Sequence, residues 1–160
     1  MCIFLALGIK TMSTNVLDEH YKVHIVDDES IYREILKDIL NDGRFLVSES
    51  SSGKQCLQYL ENSTPDIILL DINMPCMDGY EVCKKIKADS RFMDTPILFL
   101  TASETHSAIE KGYEVGACDY IIKPFKPSEV KGRVYNRVSS KAPATRKAEV
   151  LEITSGKLSI

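Results

Sequence analysis

The sequence predicts a doubly wound α/β domain, with five parallel strands in one sheet and five helices flanking it. Two observations lead there. Short runs rich in β-branched residues alternate with segments of helical period, and turn-forming residues separate them. Three of the runs, IILL, ILFL and YII, are continuously apolar, as strands covered on both faces are, and such strands belong to parallel sheets. A chain of 160 residues, 44% apolar and 27% charged, can bury one core without cross-links.

Each element has its own signal. The first strand is Val23–Val26, and the helix after it carries Ile31, Ile35 and Ile39 at four-residue intervals, with Leu36 and Leu40 alongside. The second strand is Phe45–Ser48, and the second helix covers about Gly53–Glu61. The third strand, Ile67–Leu70, leads to a helix over about Gly79–Ala88 with Val82 and Ile86 one turn apart. Ile97–Leu100 forms the fourth strand, and the fourth helix lies near Glu104–Val115. Tyr120–Ile122 is the fifth strand, and Val130, Val134 and Val138 mark the fifth helix after Pro127-Ser128. The fold so read occupies residues 20–140, between an N-terminal extension over 1–19 and a tail or linker over 141–160. The apolar run Cys2–Ile9 is too short to span a bilayer and lacks the flanks of a signal peptide, and Met12 is read as the natural start.

Composition excludes several classes. A net charge of -3 gives no support to direct nucleic-acid binding, and no segment is long and apolar enough for a membrane partner. Five cysteines, an odd count with no C-x-x-C pair, argue against a disulfide framework or zinc ribbon and fit a reducing cytoplasm. There is neither a G-x-G-x-x-G turn nor a Walker loop. His20 and His24 are four apart but lack ligand partners and read as ordinary surface histidines. Nor does any cysteine precede an arginine by six positions, as a cysteine phosphatase requires.

Ligands of open parallel sheets bind beyond the carboxyl ends of the strands. The first strand ends in Asp27-Asp28, the third in Asp71-Ile72-Asn73, the fourth in Thr101 and the fifth in Lys123. Three carboxylates crowded together repel unless a cation intervenes, and a hard divalent ion such as Mg²⁺ resolves the conflict. With the Lys123 ammonium and the Thr101 hydroxyl, these are parts that handle a phosphoryl group, an aspartate serving as nucleophile. An aspartate phosphatase using D-x-D needs a second aspartate as general acid, where this chain has Asn73.

Four segments, VDDE (Val26–Glu29), DINMPCMDG (Asp71–Gly79), Thr101-Ala102 and KPF (Lys123–Phe125), occur in family order. By them the chain from about Tyr21 to Ser140 resembles the CheY-like, flavodoxin-like receiver domain of two-component response regulators. The resemblance implies that Asp71 is the phosphoacceptor. It implies that Asp28, Asp71 and the Asn73 carbonyl bind Mg²⁺, with Asp27 acting through a metal-bound water. Lys123 would contact the acceptor and then the phosphoryl group, Thr101 would move to bond it, and Tyr120 would turn inward as Thr101 moves. That motion would alter the surface of the fourth helix, fifth strand and fifth helix. Lys123-Pro124 is expected to be cis, Pro75 and Gly79 to make the turn into the third helix, and Asn73 and Ser103 to flank the water that ends the phosphorylated state. Cys76 reads as a small loop residue.

The implied donor is a sensor histidine kinase or a histidine phosphotransfer protein, docking near Ile31, Tyr32 and Phe125. Tyr32 has a second reading, as a half-buried helix residue. The protein would not be a turnover enzyme: it would catalyse only phosphoryl transfer to its own Asp71 and its removal, control a downstream effector, and could dimerise through the fourth and fifth helices. Two alternatives stand beside this: the receiver portion of a longer regulator with an effector beyond residue 160, and a binding module independent of phosphorylation.

Overall fold

The computed structural model describes residues 20–102 and 105–140. It contains β1 (Tyr21–Val26), α1 (Ser30–Leu40), β2 (Phe45–Ser50), α2 (Gly53–Asn62), β3 (Ile67–Asp71), α3 (Gly79–Ala88), β4 (Ile97–Thr101), α4 (His106–Glu114), β5 (Asp119–Ile122) and α5 (Pro127–Ser139). The five strands form one parallel sheet in the order β2-β1-β3-β4-β5. The chain starts near the middle of the sheet, winds outward to β2, then crosses back to β3, so a crevice opens beyond the carboxyl ends of β1 and β3.

Alternation along the strands splits the core in two. Ile67, Leu69, Leu98 and Leu100 pack with Leu36, Ile39 and Leu40 of α1 and Val130, Val134 and Val138 of α5. Ile68, Leu70, Ile97 and Phe99 pack on the opposite face with Cys56 and Leu60 of α2 and Val82, Cys83 and Ile86 of α3. Each fully buried aliphatic side chain contributes roughly 1.5–3 kcal/mol. Helix starts are fixed locally: Ser52 Oγ accepts the Gln55 N–H at 3.1 Å, and Asp78 Oδ1 accepts the Glu81 N–H at 2.8 Å.

β3 and β4 are buried along their whole length, as their apolar runs require. β5 is not, since only Ile121 is buried in it; it is an edge strand, with β4 on one side alone. The apolar stripe of α1 is also wider than its buried face, which is Leu36, Ile39 and Leu40, while Ile31 is 59% and Ile35 37% exposed. A 3₁₀ turn at Ser90–Phe92, capped by Asp89 accepting the Arg91 N–H at 3.0 Å, was not expected, because three residues carry no period. Glu104, placed in the fourth helix by the sequence, and both terminal segments lie outside the described residues.

The reading of His24 as a surface histidine is corrected. His24 is fully buried, its Nδ1 2.8 Å from Ser48 Oγ, its Nε2 2.9 Å from Ser50 Oγ, and its ring stacked on Tyr59 with centroids 3.9 Å apart. β1 begins at Tyr21, so His24 is a mid-strand residue directly opposite Ser48. Burial pushes its pKa down to about 4 from 6.5. The unfolded chain therefore binds the proton more tightly, and the stability His24 contributes above pH 6.5 is lost as pH falls toward 4. Urea unfolding should show up to about 3 kcal/mol of loss across this window that a His24→Phe variant does not show. Parallel pH slopes for the two proteins would refute the assignment.

Candidate functional site

Parallel strands bring their carboxyl ends to one edge, and that edge collects the polar residues. Asp27 and Asp28 follow β1, Asp71 ends β3, Thr101 ends β4 and Lys123 follows β5. Carboxylate oxygens of Asp27, Asp28 and Asp71 lie within 4.8 Å of one another. Lys123 Nζ donates to Asp27 Oδ2 at 2.8 Å and to Asp71 Oδ1 at 3.2 Å. Asp27, Asp71 and Thr101 are buried, whereas Asp28 is exposed and stands at the mouth of the cluster.

Two backbone devices hold these groups in place. Asp27 Oδ1 accepts the Glu29 N–H at 2.9 Å, so both its carboxylate oxygens are engaged, and Arg33 Nη1 donates to the Asp27 carbonyl at 2.8 Å. The Lys123 N–H donates to the Thr101 carbonyl at 2.8 Å, and the Lys123-Pro124 bond is cis as expected. Burial and then the neighbouring Asp27 charge push the pKa of Asp71 up to about 6 against the opposing pull of Lys123. Burial alone would lower the Lys123 pKa, but its bond to Asp27 and the Asp71 charge outweigh that and hold it above the usual value. One ammonium shared by two carboxylates leaves the second incompletely compensated.

The loop from Ile72 to Asp78 joins the end of β3 to α3. Gly79 N–H donates to the Ile72 carbonyl and Met77 N–H to the Pro75 carbonyl, both at 2.8 Å, confirming a turn around Pro75. Asn73 is exposed in this loop, and Cys76, also exposed, has a left-handed backbone with φ of 68°. A side chain there costs roughly 1 kcal/mol or more. Cys76→Gly should raise the unfolding free energy by about 1 kcal/mol in urea titrations, and an unchanged midpoint would count against local strain.

Tyr120 is half-buried on β5, its ring edge-on to Tyr113 of α4 with centroids 6.4 Å apart. It lines an apolar recess with Phe99, Thr101, Ile109 and Gly112. Tyr32 is half-buried too, and its ring contacts both Lys123 and Phe125, which sequence reasoning did not anticipate. Arg33 and the Glu29 N–H were missed as well, since supports supplied through backbone atoms leave no motif. Ser103 lies outside the described residues.

A family model described as the response regulator receiver domain matches residues 23–135. The chain belongs to this family. The receiver is 42% identical over 118 residues to the probable transcriptional regulator ycf27 of Guillardia theta, covering 74% of this chain and 45% of that protein. It is 38% identical over 117 residues to the DNA-binding response regulator MtrA of Mycobacterium leprae, covering 73% and 51%. Among solved structures, Vibrio cholerae chemotaxis protein CheY4 superposes with a TM-score of 0.69 at 33% identity, covering 74% of this chain and 98% of that one. The receiver domain of a Pseudomonas aeruginosa sensor histidine kinase, described with a magnesium ion coordinated in its active site cleft, superposes with a TM-score of 0.70 at 26% identity, covering 75% and 98%.

The domain is therefore a receiver of the two-component response regulator type. It spans about half the length of the curated relatives it matches. MtrA is described as DNA-binding, which stands partly at odds with the expectation, drawn from net charge, that direct nucleic-acid binding is unsupported. Among the described residues, no helix is long and apolar enough to cross a membrane.

Proposed function

We propose that this receiver accepts a phosphoryl group on Asp71 from a sensor histidine kinase or histidine phosphotransfer protein. One observation carries the reading: three carboxylates gathered within 4.8 Å around a nearly buried ammonium that bonds two of them. An Asp71 oxygen attacks phosphorus, the bond from phosphorus to the donor's imidazole nitrogen breaks, and its electron pair leaves with the imidazole. The Lys123 ammonium follows the charge onto the new phosphoryl oxygens, and the Thr101 hydroxyl turns to donate to one of them.

The donor set suits Mg²⁺, because hard carboxylate oxygens stand together with one of them at the solvent mouth. Asp28, Asp71 and the Asn73 carbonyl would hold the ion. Asp27, both of whose oxygens already have partners, would act through a water. When bound, the ion neutralises phosphoryl oxygens. Hydrolysis reverses the state: water attacks phosphorus, the bond from phosphorus to the Asp71 oxygen breaks, and the carboxylate is regenerated as inorganic phosphate leaves. Changing Asn73 and Ser103 together should alter the lifetime of the label.

Thr101 and Tyr120 line the same recess, so a shift of Thr101 frees space for the Tyr120 ring and biases the α4, β5 and α5 surface. That surface would engage a downstream partner or a second copy. We place the receiver at residues 20–140 of a cytoplasmic regulator, with a DNA-binding effector portion beyond residue 160; the length of the relatives favours this over a receiver acting alone. Incubation with acetyl phosphate and Mg²⁺ should yield a base-labile phosphoryl group that Asp71→Asn abolishes. No label overturns the assignment and leaves a phosphorylation-independent module, while label retained in the variant overturns it by moving the acceptor to another residue.

A further inference from the structure

Tyr32 is the third residue of α1, and its ring faces the group that binds the acidic cluster. Lys123 Nζ lies 3.8 Å from the ring centroid while donating to Asp27 and Asp71. Phe125, two residues further along the same loop, meets the Tyr32 ring edge-on, with centroids 5.6 Å apart and planes at 71°. The loop after β5 thus supplies both the ammonium on the ring's face and the aromatic edge that braces the ring. With carboxylates and ring around it, the Lys123 side chain is only 8% exposed.

The negative face of an aromatic ring attracts an ammonium within about 6 Å, and more strongly where water is excluded. Lysine is otherwise a flexible, strongly hydrated side chain, and holding it still costs rotamer entropy. We propose that Tyr32 is a positioning residue: its ring seats the Lys123 ammonium against Asp27 and Asp71, and so sets how fast Asp71 accepts a phosphoryl group. This deepens the phosphoacceptor reading and rests on it. An ammonium fixed before the phosphoryl group arrives needs no reorganisation as charge develops on the phosphoryl oxygens. Without the ring it turns toward solvent and must be recovered each time. The tyrosine hydroxyl has no part in this, so phenylalanine should substitute.

The initial rate of Asp71 labelling by acetyl phosphate with Mg²⁺ reads the effect. Tyr32→Phe should react within about twofold of the native protein, and Tyr32→Leu about tenfold more slowly. Pentafluorophenylalanine at position 32 keeps the shape but reverses the charge of the ring face, and should be as slow as Leu; being nearly isosteric, it tests the idea even if Tyr32→Leu folds poorly. Proton NMR gives an independent readout: the Lys123 side-chain methylenes should show ring-current shifts in the native protein and the Phe variant, but not in the Leu variant. A Leu variant as fast as native, a Phe variant as slow as Leu, or a fluorinated ring as fast as Phe each overturns the seat. Absence of label in the native protein overturns the acceptor reading and the rate effect with it, while the ring-current shifts still report whether the seat exists.

Discussion

A Lys123→Met variant is expected to lose about 3 kcal/mol of stability at pH 8 in the absence of metal, and to accept phosphoryl groups roughly a hundredfold more slowly. Lys123 bonds both Asp27 and Asp71, and removing it leaves two buried carboxylates facing each other. The protein has one escape, protonation of Asp71, whose pKa already stands at about 6. A carboxyl with a raised folded pKa gives stability that is present at low pH and lost as pH rises through that value. Without Lys123 the folded pKa rises further, so the variant should recover stability from a higher pH than the native protein does. The gap between the two should narrow steadily from pH 8 to pH 5 in urea titrations. His24 titrates in the opposite sense over the lower part of that range, but it does so in both proteins and cancels in the difference. A gap that stays constant with pH would mean that Lys123 does not compensate the carboxylates. Added Mg²⁺ should close part of the gap, since a divalent cation supplies the missing charge.

The acidic site was legible because it depends on little beyond strand ends. Once the apolar runs are read as parallel strands, Asp27, Asp71, Thr101 and Lys123 must share an edge whatever the strand order. Strand order itself has no such signal, and so the half-exposed state of β5 emerged only from its place beside β4 alone. His24 shows the same limit at the level of register. Its burial depends on Ser48 standing directly across from it and Ser50 two residues on, a pairing no property of residues 20–26 reveals. On α1 the helical period marks a stripe from Ile31 to Leu40, but only the part over the sheet is covered. The exposed part lies beside Tyr32 and Phe125, where the donor was expected to dock.

Gly79→Ala should be among the most damaging small substitutions in the domain, and Gly132→Ala should be stabilising. A methyl group on Gly79 would strike the Asp71 carbonyl oxygen and come within 2.8 Å of Ile72 Cα. Both obstacles are backbone, so no side chain can turn aside, and relief requires α3 to move away from the end of β3. Overpacking of this kind costs about 1–3 kcal/mol, and here the backbone that must shift is that of Asp71 itself. Phosphoryl acceptance should therefore fall along with stability, although position 79 makes no contact with the reacting atoms. Gly132 is exposed within α5, and a methyl group there would meet nothing within 4 Å. In that setting alanine removes backbone freedom from the unfolded chain and should add about 0.5–1 kcal/mol with no change in labelling. Measuring both variants side by side separates the two roles of glycine. If Gly79→Ala were as benign as Gly132→Ala, α3 would not be pressed against the end of β3, and the site's rigidity would have to come from elsewhere.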